Sequence, residues 1–258
     1  FTTAQITALT TKLVVALTTD QASSLTTAQA ASLTTAQIVA IETDDLQAMT
    51  TAQLVALTTA QMPALTTAQV VALTSDQVSS LKTAQLASLS TAQIAVIETD
   101  DLVTLSTAQI RGLTTAQVAS LTTDQLVTMG TDQVAAFTTA QITALTTKQV
   151  VALTTDQVSS LTTAQIASLT TAQIAVLETD DLQAMTTAQL VAMTTEQIPT
   201  LTTAQVVALT SDQVSSLKTL QLAALSTAQI AAVETDDFAG LSTAQILSLT
   251  SAQVAALT

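Results

Sequence analysis

The chain has 258 residues, a formal net charge of −14 with only five basic residues, no Cys and no His, and three Phe as its sole aromatic side chains. That composition excludes disulfides, thiolate or imidazole zinc sites, thiol or imidazole catalysis and His-ligated haem. It also withholds the basic surface and stacking rings that nucleic acid requires and the positive charge that anionic membrane surfaces attract.

Apolar residues make up 48%, a globular rather than a disordered level, and the core must come from Leu, Ile, Val, Met and Ala. Thr and Gln interrupt every apolar run well before the ~18 residues that cross a bilayer.

Read from Phe1, the sequence is one eight-residue phrase: FTTAQITA, LTTKLVVA, LTTDQASS, LTTAQAAS, and so on without insertion to Leu257-Thr258. A strict short period indicates a stack of units in which none folds alone. Position 1 of the octad is a large apolar residue, position 3 is Thr or Ser in every copy, and position 6 is almost always Ile, Val, Leu or Met. Position 5 is Gln except at Leu13 and in four acidic octads.

Each octad predicts a helix start. In Leu65-Thr66-Thr67-Ala68-Gln69-Val70, Thr66 is placed to cap the first turn, Gln69 to close a capping box, and Leu65 and Val70 to form a hydrophobic staple. The invariant hydroxyl at position 3 leaves the cap open by one residue. Positions 1, 6 and 8 are assigned to the interior, and positions 4 and 7 to the outside. Helices this short are unstable alone and must be stabilised by capping and burial. The fold class expected is therefore an all-α solenoid of short capped helices, one per octad. The alternative is a β-solenoid, favoured by the Thr, Ile and Val content but lacking strict alternation and corner glycines.

Along the chain, a Ser-Ser marker (Asp-Gln-x-Ser-Ser) recurs beginning at Asp20, Asp76, Asp156 and Asp212. An acidic marker follows each by three octads: Glu42-Thr43-Asp44-Asp45, Glu98-Thr99-Asp100-Asp101, Glu178-Thr179-Asp180-Asp181 and Glu234-Thr235-Asp236-Asp237. Pro63 and Pro199 stand at position 7, which short helices tolerate and one long helix would not. Residues 1–122 recur as 137–258, so the organisation reads as a first super-repeat, 1–136, and a second, incomplete one, 137–258, in one continuous solenoid. Successive acidic octads lie seven, ten and seven octads apart. A turn of about 3.4 octads, roughly 27 residues, would align them on one face and place each Ser-Ser octad about one turn below.

The acidic octads hold 12 of the 19 acidic residues. Their metal reading is calcium, an oxygen-seeking ion, with Glu42, Asp44, Asp45, Glu98, Asp100, Asp101, Glu178, Asp180, Asp181, Glu234, Asp236 and Asp237 as candidate ligands. The motif lacks the glycine turn and full ligand set of an EF-hand loop. The structural reading is that the carboxylates cap first-turn N–H groups and complement the helix dipole. Neither a catalytic nor an organic cofactor site is expected, because paired carboxylates repeated along a surface form no cleft.

The phrase LTTAQI/LTTDQV resembles octapeptide arrays of very large bacterial secreted or cell-surface proteins of the adhesin type. The resemblance covers the whole chain and implies an extracellular, structural role as stalk, spacer or filament wall. The haem-utilisation activity sometimes attached to such arrays is not carried over, since no His or Tyr is present. Alternatives are a protein-binding solenoid module and an ice-binding Thr array on a β-solenoid. The chain begins in mid-phrase, as a fragment or processed product would, and neither end carries a distinct capping unit. End-to-end or side-by-side self-association is therefore expected.

Overall fold

The structure, a computed structural model, describes residues 1–257. Among these residues each octad forms one short helical element: thirty α-helices and, at the two proline octads, the 3-10 turns Met62–Ala64 and Ile198–Thr200. No β-strand occurs among the described residues, so the strand alternative is not realised, nor the flat threonine array that depended on it. The chain forms two compact units, Phe1–Met129 and Gly130–Thr258, and within each one the same local design recurs.

The helix spans positions 3 to 7 or 8 and its N-cap is position 2, which resolves the ambiguity between the two hydroxyls. Thr66 has extended backbone (φ −72, ψ 159) and precedes the helix Thr67–Val71. Its hydroxyl accepts from the Gln69 N–H at 3.1 Å, and its own N–H donates to Gln69 Oε1 at 2.7 Å. This reciprocal box satisfies two donors that a helix start leaves open. Positions 1 and 2 are the only extended residues between helices, as at Leu65 (φ −57, ψ 134). Among the described residues none, glycine included, has positive φ. The corners are ordinary extended dipeptides, which is why the chain needs so few glycines.

Residues at positions 1 and 6 form the interior: Leu65 is 3% exposed, Val70 1%, Leu86 and Ile94 0%. Positions 4 and 7 face outward, as Ala68 and Val71 do. Position 8, expected inside, is half-buried in most octads, as at Ala72 and Ala152. Gly112 shows what limits it: a Cβ there would lie 3.1 Å from the Thr83 Cβ, so position 8 sits against position 3 of the turn below, nearer the surface than the core.

Helices pack against the helix three octads away, Thr19–Ser23 on Thr43–Ala48 and Thr27–Ser32 on Thr51–Ala56, for example. Side-chain hydrogen bonds between turns span 28 to 31 residues. One turn thus takes between three and four octads, bracketing the expected 3.4. The prolines fit because the octad tightens into a 3-10 turn while Gln61 and Gln197 keep their bonds to the turn below.

Gln117 accepts from the Thr114 N–H at 2.8 Å and donates to Leu86 O at 2.8 Å and Leu89 O at 2.7 Å, all while 2% exposed. Substitution Gln117→Leu strands two buried carbonyls and removes the acceptor of the Thr114 N–H, and should cost about 2–4 kcal/mol in urea unfolding followed by far-UV circular dichroism. Thr114→Ala removes one exposed cap and should cost only about 1 kcal/mol in the same measurement. Equal losses for the two would contradict this ranking.

Candidate functional site

Apart from Leu13 and the four acidic octads, the fifth residue of the octad is a neutral amide that can both accept and donate. In the acidic octads it is Asp45, Asp101, Asp181 or Asp237, an acceptor one methylene shorter with no N–H to offer. These four are buried, with relative exposures of 3%, 5%, 2% and 6%. The remaining candidate residues, Glu42, Asp44, Glu98, Asp100, Glu178, Asp180, Glu234 and Asp236, are exposed. Among the described residues no three carboxylates converge where an ion could be held by carboxylates alone.

Glu42, Glu98, Glu178 and Glu234 occupy the N-cap, yet none makes a side-chain cap hydrogen bond. The expected carboxylate cap is therefore absent in these octads. The two aspartates that follow each of them remain in the first turn, where negative charge suits the helix dipole.

The Ser-Ser octads lie one turn below, as their spacing implied. The helix Thr19–Ser23 packs under Thr43–Ala48, Ser75–Ser80 under Thr99–Leu102, Thr155–Ser160 under Thr179–Ala184, and Ser211–Ser216 under Thr235–Ala239. The small second marker gives close approach: a Cβ on Gly240 would stand 3.8 Å from the Ser215 Cβ. The decisive polar contact, however, comes from position 3. Ser75 Oγ donates to Asp101 Oδ1 at 2.6 Å, and Ser211 Oγ donates to Asp237 Oδ1 at 2.5 Å. The Thr155 hydroxyl takes the same part for Asp181.

The four aspartates then divide into two kinds. Oδ2 of Asp45 and Oδ2 of Asp181 are buried with no hydrogen-bond partner. Burial, reinforced by Glu42 and Asp44, pushes the Asp45 carboxyl above the usual carboxylate range. Asp181 is raised by burial too, with Glu178 and Asp180 adding to it and hydrogen bonds from Thr155 and the Glu178 backbone opposing it. The equivalence of two residues 136 positions apart makes this a designed feature of the super-repeat.

The sequence reading located the acidic octads and their partners but treated Gln as a local cap. It missed that position 5 is buried and reaches the neighbouring turn. The signal was available in the near-invariance of Gln there, stricter than a solvent-exposed capping box requires.

Ser75→Ala leaves a buried Asp101 oxygen without its donor and should lower stability by about 1–3 kcal/mol. The exposed control Ala116→Ser should stay within about 0.5 kcal/mol in the same denaturation series.

An ALTTAQ repeat family model matches the chain in overlapping segments at residues 38–75, 94–131, 119–147, 126–163, 143–171, 174–211, 188–219 and 230–258. No curated protein matches it. With most of its length matched by that model, and with most octads folded on the same cap-and-amide plan, the chain belongs to the ALTTAQ repeat family.

Proposed function

We propose that this chain is a structural element, a stiff stalk, spacer or filament wall of an extracellular or cell-surface assembly, with no catalytic activity. The observation that carries the reading is the repeated use of buried polar groups for stacking. Octad after octad, Gln side chains such as Gln37, Gln69, Gln93 and Gln125 bond carbonyls of the turn below. A polar interior committed to turn-to-turn bonds resists sliding and bending, which suits a spacer. The exposed surface of small, hydroxyl and acidic side chains, with its net charge of −14, favours solubility outside the cell. No helix among the described residues is long and apolar enough to cross a membrane. Nucleic acid is not a suitable partner for so acidic a surface.

Self-association fits the same plan. Gln5 and Gln21 are exposed, and so is Leu13, the one Leu at position 5, at 54%. Phe1, Ile6, Leu9, Leu13 and Leu17 line an apolar concavity there. A second copy would offer helix-end carbonyls to those amides.

Two measurements test the reading. Small-angle scattering on chains of 17 and 34 octads should give a maximum dimension that grows in proportion to octad number; a length-independent dimension would overturn the spacer reading. Sedimentation should reveal association that increases with concentration and weakens in Leu13→Gln; monomers throughout would overturn end-to-end assembly.

A further inference from the structure

In an ordinary octad the amide NH2 of position 5 enters a ring of carbonyl oxygens. Gln37 reaches Ile6 O at 2.8 Å and Leu9 O at 2.8 Å, with Thr7 O at 3.4 Å; Gln77 reaches Leu46 O at 3.0 Å, Gln47 O at 3.2 Å and Met49 O at 2.8 Å. These oxygens, 31, 30 and 28 residues back, belong to the C-terminal end of a helix and the residue just past it. They carry the negative end of that helix and need a positive partner.

The same register assigns Val14, Val15 and Leu17 to Asp45, and Val150, Val151 and Leu153 to Asp181. At these two places the side chain from the turn above brings a carboxylate in place of a donor. Val15 lines an open surface groove together with Glu42, Thr43 and Asp44, so the exposed side of this acidic octad faces the lower helix end; Asp45 does not line the groove. The buried Oδ2 atoms of Asp45 and Asp181 have no partner.

We propose that Asp45 and Asp181 each hold a hard divalent cation of the calcium type, between the buried carboxylate and the backbone carbonyls of the turn below. The unpartnered Asp oxygen and the carbonyls of the turn below are oxygen acceptors, the donor set such cations select, with water completing the shell; at Asp181 the Thr155 hydroxyl and the Glu178 backbone bond the carboxylate as well. A water molecule alone would supply two hydrogens and leave the buried charge unneutralised, whereas a cation serves both needs. Glu42 and Asp44, and likewise Glu178 and Asp180, add negative potential at the entrance without entering the interior.

Asp101 and Asp237 differ. Each receives a serine hydroxyl, from Ser75 and Ser211, and neither has an orphaned buried oxygen. Asp181 shares the hydroxyl contact, through Thr155, so it is the orphaned buried oxygen that sets the two ion sites apart from Asp101 and Asp237. The ion takes the place of the amide: it ties a turn to the one below where the sequence has given up Gln.

The test is isothermal titration with calcium chloride, with thermal unfolding of the same proteins in chelator and in calcium. The wild-type chain should bind one ion at each of the two sites and unfold at higher temperature with calcium. The double variant Asp45→Gln/Asp181→Gln restores the ordinary octad, so it should fold, lose at least about tenfold in calcium affinity, and show an unfolding temperature above that of wild type in chelator and indifferent to calcium. Asp101→Gln/Asp237→Gln should keep both ions. The proposal is overturned if wild type shows neither binding heat nor a calcium-dependent shift. It is equally overturned if the Asp45/Asp181 variant binds like wild type, or if the Asp101/Asp237 variant loses the ions instead.

Discussion

A helix of five or six residues is nearly all ends. An α-helix leaves its first four N–H groups and last four C=O groups without internal partners, so a unit this short has almost no backbone satisfied by itself. Everything in this protein follows from where those groups find partners. The Thr at position 2 and the Gln at position 5 close the start of each helix, and the same Gln, through the other end of its amide, closes the end of a helix one turn away. One side chain serves two helices. Cap, burial and inter-turn contact are consequently inseparable, and the octad is stable only as part of a stack.

The exceptions confirm the division of labour. At Leu13, the one position 5 that carries Leu, the side chain is exposed rather than buried. At the proline octads the helix is lost but the glutamine bond is kept, so the inter-turn contact is the feature that the local backbone adapts to preserve. Apolar packing at positions 1 and 6 supplies the bulk of the burial, while the amide fixes which turn sits on which. Non-directional burial would tolerate slippage by an octad; a side chain engaged with two or three carbonyls does not.

The acidic octads interrupt this scheme in a patterned way. Replacing an amide by a carboxylate reverses the polarity of one inter-turn contact, and the Ser-Ser octad beneath answers with a hydroxyl donor at position 3. Three of the four, Asp101, Asp181 and Asp237, receive that hydroxyl, while Asp45 and Asp181 keep an unpaired buried oxygen. Within each unit the two acidic joints lie seven octads apart, close to two turns of a coil whose turn is not a whole number of octads.

The eight-residue period, the capped helix starts, the buried positions 1 and 6, and the pairing of acidic with Ser-Ser octads were all legible in the sequence. Each depends on residue type and spacing, and a helix start is encoded within six residues, as in Leu65 to Val70. The cap at position 2 rather than 3 was not legible, because both residues are usually Thr and only the backbone turn distinguishes them. Nor was the half-burial of position 8, which depends on Thr83 of one turn meeting Gly112 of the next. The second role of Gln, and the division of the aspartates into satisfied and orphaned pairs, were decided by tertiary structure alone. Both concern atoms 26 to 31 residues apart, brought together by a coil of between three and four octads whose exact register no local pattern specifies.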